Sequence, residues 1–296
     1  MTSHRDTSCD SVTWANYEEK QRAAKKRKDM NASVFHDTLK KCKTINMASG
    51  VSYACMFPVQ ARVHEASGRC VAIPPSVTTR PVQVRVHDGD CVAVAKVLCQ
   101  KSDAKVWLLN MACPNRAGGG VYSGCNAQEE HLCRCSNLYP QLLEAQEECE
   151  LYPLVKTREN GKEFTVLVHK QVTFFKDPSD YKDLSWQDWF CTGVLTAAAE
   201  KVSSRMDKIG PNAQRFIDFL LEVVHMQGKD CTDIILSAWG CGAFGQSADK
   251  VARCFKQGLA RFTKDNFPTV TFAIVDDHNS RPPGNVHAFR EVFATE

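Results

Sequence analysis

Residues 105–135 read KVWLLNMACPNRAGGGVYSGCNAQEEHLCRC. The run from Lys105 to Cys113 is apolar and short, which suits one buried strand better than a core helix. A glycine triplet, Gly118–Gly120, follows, and from Ala127 an amphipathic segment continues to Ala145. Strand, glycine turn and helix in that order form half of a βαβ unit, so this stretch predicts an α/β layered domain. It also carries two costly features. Glycine loses more backbone freedom on folding than any other residue, and here three stand in a row. Two adjacent carboxylates, Glu129 and Glu130, repel each other. Both features fall just past the carboxyl end of a strand, where open α/β sheets bind ligands.

The same alternation extends on both sides. VQVRVHDGD (82–90) alternates like a strand and ends in turn residues, and AVAKVLCQ follows as a short helix. Downstream, FTVLVH and VTFFKD read as two strands around a turn, and WFCTGVLTAAA as another apolar strand. NAQRFIDFLLEVVHMQG is an amphipathic helix, DIILSAW a strand, SADKVARCFKQGLARF a helix, TVTFAIVDD a strand and NVHAFREVF a closing helix. This order predicts a largely parallel central sheet. Residues 1 to about 45 are polar, with helical spacing and sparse apolar positions, as in surface helices packed on a core built elsewhere. The division expected is a helical extension over 1–75 and a catalytic domain over 76–296. The basic run KKRK at 25–28 reads as a solvated helix face, with nuclear import as the alternative.

Composition narrows the classes. With 296 residues, 43% hydrophobic and 24% charged, the chain can bury a large globular core. A net charge of +3 argues against sequence-specific nucleic-acid binding on charge alone. No run is long enough to span a bilayer, and the N-terminus has no apolar segment of signal-peptide type. Fifteen cysteines in a long chain without an export signal read as reduced thiols, placing the protein in the cytoplasm or nucleus. HLCRC brings His131, Cys133 and Cys135 close in sequence, but the two thiols leave a helix on different sides and no CxxC pair completes a tetrahedron. No metal and no cofactor is expected.

A second glycine-rich turn, AWGCGAFGQS, follows DIILS and contains Gly240, Gly242 and Gly245. Backbone N–H groups in such turns can face an anion closely, especially beside a helix N-terminus, and two turns can hold a diphosphate between them. Neither turn fits a Walker motif or a strict GxGxxG. Asn126 can cap a helix that begins at Ala127, which would make Glu129 the third helical residue and a capping-box partner. Glu130, about 100° further round, has no such structural use. A carboxylate beside a diphosphate loop can protonate a glycosidic leaving group and activate water.

These residues resemble the signature of the microbial-type poly(ADP-ribose) glycohydrolases, in which GGG is followed after six to eight residues by QEE; here the gap is seven. VTFFKD, VLTAAAEK, ILSAWGCGAFGQSADKVARCF, and FAIVDD through NVHAFREVF are similar to the family's later blocks, in order, over roughly residues 30–293. The resemblance implies a three-layer α/β/α macrodomain with a mixed central sheet and an N-terminal helical extension. It implies Glu130 as catalytic acid/base, with Glu129 and Gln128 positioning the scissile ribose. Gly118, Gly119 and Gly120, with Gly240, Gly242, Ala243 and Gly245, would hold the diphosphate. Asp90 would contact adenine, Phe244 would pack on the distal ribose, and Asn110 would support the first loop. Arg116-Ala117 stands where the family usually has Asn-Pro, and Cys113 where macrodomains often carry Asn or Ser. The expected substrate is poly(ADP-ribose) or ADP-ribosylated macromolecules, attacked mainly at chain ends by a monomer that releases ADP-ribose. A mono-ADP-ribosyl hydrolase and a non-catalytic ADP-ribose reader are the alternatives, and a reader has no need of the acidic pair.

Overall fold

The computed structural model describes residues 8–45, 51–56, 61–62, 80–159, 161–202 and 208–294. In chain order the elements are α1 (Ser8–Ile45), β1 (Val51–Met56), β2 (Ala61–Arg62), β3 (Val84–Asp88), α2 (Cys91–Leu98), β4 (Val106–Met111), α3 (Gln128–Cys135), α4 (Leu138–Glu147), β5 (Val155–Arg158), β6 (Gly161–Phe174), β7 (Phe190–Ala197), α5 (Ala213–Met226), β8 (Asp233–Leu236), α6 (Ala248–Leu259), β9 (Thr269–Ile274) and α7 (Asn285–Phe293). One nine-stranded sheet runs β2-β1-β6-β7-β4-β8-β9-β3, with β5 beside β6. The half from β7 through β4, β8 and β9 to β3 is parallel. The other half, from β2 through β1 and β6 to β7, is antiparallel. The sheet is therefore mixed, not largely parallel as the alternation of elements suggested. Strands β1 and β2 extend its antiparallel edge from within the stretch expected to be helical.

Alternation along each strand divides the core in two, because successive side chains point to opposite faces. Trp107 and Leu109 of β4 join Ile234 and Leu236 of β8, with α5, α6 and α7 on one face. Val106, Leu108 and Ile235 meet α1, α2, α3 and α4 on the other. Two faces, each covered by helices, make the three-layer α/β/α sandwich.

Two elements depart from the sequence reading. FTVLVH and VTFFKD form a single strand, β6, with an irregularity between His169 and Val172 where β6 spends one residue more than β7. The extra residue flips the strand's faces: Val166 and Val168 lie in the first core, Val172 and Phe174 in the second. The helix expected over 127–145 is two, broken at Ser136, whose backbone is extended. Ser136 Oγ donates to Leu132 O at 2.8 Å and accepts from Leu138 N at 3.2 Å. Asn137 exchanges bonds with Thr173 on β6, through its side-chain oxygen at 2.8 Å and its N–H at 3.2 Å. Short polar side chains here compete with the helix for its own backbone groups.

Candidate functional site

The glycine triplet leaves the carboxyl end of β4 and folds back over the first turn of α3. Gly118 and Gly119 have φ of +65° and +54°, a left-handed backbone that side chains rarely adopt. A Cβ on Gly119 would stand 2.6 Å from Glu130 Oε1 and 3.0 Å from Glu129 Oε2, so the loop rests directly on both carboxylates. The Gly120 N–H donates to Glu130 Oε1 at 2.8 Å, and the Gly119 N–H turns to Arg116 O at 3.4 Å. The Gly120 N–H is therefore turned onto the acidic pair itself.

The two glutamates occupy different environments. Glu130, not Glu129, is the third residue of α3, and its Oε2 accepts the Ala127 N–H at 3.1 Å. The helix starts one residue later than Asn126 capping would require, and the capping contact moves from the first carboxylate to the second. Glu129 lies deeper, 2% exposed against 7% for Glu130. Its Oε2 accepts the Cys113 N–H at 2.7 Å and its Oε1 the Asn110 side-chain amide at 3.4 Å. Burial pushes Glu129 up to about 8, and the Glu130 charge adds to this, while the Cys113 N–H and the Asn110 amide pull the other way. Asn110 thus holds Glu129, on which Gly119 rests, and reaches strand β7 through Thr196 Oγ1 at 3.2 Å. Its Oδ1 is buried with no partner among the described residues.

Gln128 is tied into the sheet. Strands β4 and β8 pair only from Val106 to Leu108 on β4, and beyond that point the Gln128 amide takes the place of a strand. Its Nε2 donates to Leu109 O at 2.7 Å and its Oε1 accepts Met111 N at 2.8 Å. Gln128 therefore pins the start of α3 to β4, which fixes where both carboxylates emerge. Cys113, the departure from the family pattern, contributes its backbone N–H to Glu129, a contact that does not depend on its side chain.

Asp90 follows β3, and both its oxygens are engaged. Oδ1 caps α2 through Val92 N and Ala93 N, each at 2.9 Å, and Oδ2 stands 3.1 Å from His131 Nε2. Burial works to raise this carboxyl, but the contact with His131 and the two backbone N–H groups prevail and hold it below the usual carboxylate range. His131 Nδ1 lies 2.9 Å from the Tyr181 hydroxyl. Sequence reasoning treated His131 only as a zinc candidate and passed over Tyr181. Cys133 and Cys135 are fully buried beside it, and burial pushes both thiols well above their ordinary range. Among the described residues, no group of three or more His, Cys, Asp or Glu side chains gathers to hold a metal.

The second glycine turn follows β8, the neighbour of β4. The Gly240 carbonyl accepts the Gln246 N–H at 3.0 Å and the Gly242 carbonyl the Gly245 N–H at 2.9 Å. Gly240 packs on Ala199 and on Gln246, whose amide bonds Glu200 O at 2.9 Å and Gly210 N at 3.2 Å. Among the described residues, nothing lies within 4 Å of the place a Cβ on Gly242 would take, and Ala243 beside it is exposed. Phe244 is half-buried against the first core. The sheet order sets both turns beyond the carboxyl ends of adjacent parallel strands. Tyr152, unmarked by any motif, places its hydroxyl in the interior without a hydrogen-bond partner among the described residues. Burial and the Glu129 charge raise its pKa.

The family model for the microbial-type PARG catalytic domain matches residues 16–177, more than half of the chain. Among solved structures, the poly(ADP-ribose) glycohydrolase of Thermomonospora curvata bound to the inhibitor ADP-HPD is 26% identical over 71% of this chain and 79% of its own, with a TM-score of 0.59. The poly(ADP-ribose) glycohydrolase of Deinococcus radiodurans in complex with ADP-ribose is 27% identical over 72% and 84%, with a TM-score of 0.55. A further structure of the Thermomonospora protein shares the fold over 90% of this chain and all of its own, at 21% identity and a TM-score of 0.63. No curated protein matches the chain.

Proposed function

The chain belongs to the microbial-type poly(ADP-ribose) glycohydrolase catalytic family, and from that premise we infer that it hydrolyses the ribose–ribose O-glycosidic bonds of poly(ADP-ribose). The observation that carries the reading is the packing of Gly119 onto Glu130 and Glu129 at the first turn of α3. We assign Glu130 the acid/base role. It gives its proton to the departing ribose oxygen, then takes one from the water that attacks the anomeric carbon as the oxocarbenium character decays. Glu129, deeper and held by Cys113 and Asn110, orients the ribose. Gln128 acts through its anchorage of α3 on β4.

The diphosphate is placed between the turn at Gly118–Gly120 and the turn at Gly240–Gly245, with Phe244 against the distal ribose and Asp90 toward adenine. ADP-ribose and the inhibitor ADP-HPD in the related structures support that ligand class. Cleavage from chain ends, action as a monomer and a cytoplasmic or nuclear setting complete the proposal. The last is supported by the free state of every cysteine whose side chain is described. Labelled polymer and a mono-ADP-ribosylated protein, each incubated with the chain, test the reading. Polymer shortened to free ADP-ribose with the mono-linked group untouched is the expected result. Release of the mono-linked group alone would make it a mono-ADP-ribosyl hydrolase, and binding without turnover would make it a reader.

A further inference from the structure

One helix face changes character as it passes the site. Asn31, Phe35, Thr38 and Cys42 are buried on α1, at the three- and four-residue spacing of a single helical stripe. That stripe clamps the helix to the body beside the glycine triplet. Asn31 Nδ2 donates to Gly124 O at 3.1 Å and Thr38 Oγ1 to Arg134 O at 2.7 Å. Lys176 Nζ holds Asp37 at 2.6 Å, and the Phe35 ring meets Tyr122 edge-on at 4.9 Å. Gly124 lies directly against the Lys28 carbonyl, where a Cβ would collide.

Continued toward the N-terminus, the same stripe passes Arg27 and Lys28, then Ala24, then Lys20. All are exposed, as is every residue from Glu19 to Asp29. That segment holds six basic and two acidic side chains, whereas the whole chain has a net charge of only +3. Lys20, Lys25, Lys26, Arg27 and Lys28 have no carboxylate partner among the described residues. From Lys28 to Lys20 the helix advances about 12 Å at ~1.5 Å per residue. A clamped helix thus carries the molecule's excess positive charge along a fixed line that starts four residues past the glycine triplet.

We propose that the basic segment of α1, Lys20 to Lys28, holds the anionic ADP-ribose units of the polymer that lie beyond the unit bound in the site. The proposal rests on the glycohydrolase reading. Each unit brings a diphosphate, and a row of exposed cations beside a polyanion gains affinity by releasing its counterions. A single ADP-ribose occupying the site needs no such row.

The test combines Lys25→Gln, Lys26→Gln, Arg27→Gln and Lys28→Gln in the full chain, on a Glu130→Gln background that leaves polymer uncut. Affinity for long poly(ADP-ribose) and for ADP-ribose is measured over a salt series, with and without the four changes. Glutamine keeps helix propensity, and the positions are exposed, so the fold should survive. The expected result is about tenfold weaker polymer binding at low salt. The log–log salt slope should be shallower by up to about 3, at ~0.7 per phosphate neutralised, with ADP-ribose affinity unchanged. Unchanged polymer affinity and slope would overturn the proposal. So would an equal loss for polymer and for ADP-ribose, which would put the effect in the site. If the parent chain itself binds no ADP-ribose, the glycohydrolase reading falls and takes this inference with it.

Discussion

The two glycine turns look alike in sequence and differ in what surrounds them. At the first, Gly119 sits against Glu129 and Glu130, and Gly118 against the Tyr139 ring at 2.6 Å from a would-be Cβ. At the second, Gly240 packs on Gln246 and Ala199, but Gly242 has no neighbour at the Cβ position among the described residues. The first turn is small because the protein's own acidic pair lies beneath it. The second keeps room at Gly242 that no part of the described protein fills. Similar composition therefore meets two surroundings: one turn is packed on the acidic pair, and the other leaves Gly242 clear of the described residues.

The largest break of this comparison comes from the acidic pair itself. Glu130→Gln keeps the shape and one acceptor oxygen, so it holds either the Gly120 or the Ala127 N–H but not both, and it cannot cycle a proton. Turnover of polymer should fall at least about a hundredfold, within the range general acid–base catalysis supplies, while ADP-ribose binding survives. A variant with near-parental turnover would remove Glu130 from the chemistry and leave the first turn as a structural device only.

A paired substitution sharpens the contrast between the turns. Gly119→Ala adds a methyl group at positive φ against two carboxylates, so we expect turnover to drop about tenfold or more and Tm to fall by ~2–4 °C for each kcal/mol of strain. Gly242→Ala meets no atom of the described residues and should leave Tm within about 1–2 °C of the parent, as surface changes away from special features usually do. If a ligand occupies the space at Gly242, the change will appear in ADP-ribose affinity alone. Calorimetry and thermal melts on both variants decide it. Equal effects at the two sites would mean that the turns are not specialised.

Much of this site was legible before the structure. The strand–glycine–helix order and the QEE triplet located the pair, because backbone freedom and charge are properties of residue type. Local competition was less visible. The one-residue shift of the helix start moved the capping contact from Glu129 to Glu130, and the break at Ser136 depended on Asn137 pairing with Thr173, 36 residues away. The bulge at His169–Val172 made one strand look like two, since a pattern that switches faces mimics a turn. Asn110 beneath Glu129, Gln128 in the gap between β4 and β8, and the His131–Tyr181 contact are meetings of distant segments. Only the sheet order brings them together.

The smallest effect concerns the depth of Glu129, and its sign can be worked out. Burial raises this carboxyl from about 4.5 to about 8, so folding favours its protonated form. Below the ordinary value the group is neutral in both the folded and unfolded states and costs nothing. Between the two values the unfolded chain ionises in water while the folded group stays protonated, so stability is lost across the window from about 4.5 to 8 and levels off once the buried group ionises too. Glutamine at 129 is the permanent stand-in for the protonated acid. Its carbonyl oxygen can take the Cys113 N–H, and its amino group can face Asn110 Oδ1, the atom left without a partner, once the Asn110 amide is turned. Glu129→Gln should therefore match the parent's Tm near pH 5 and exceed it by several degrees at pH 8. Its turnover should fall less than that of Glu130→Gln. Melts at both pH values check the first part and polymer assays the second. A parent whose Tm does not decline relative to the variant between pH 5 and 8 would show that Glu129 is not held protonated, and that the two carboxylates differ in position but not in charge.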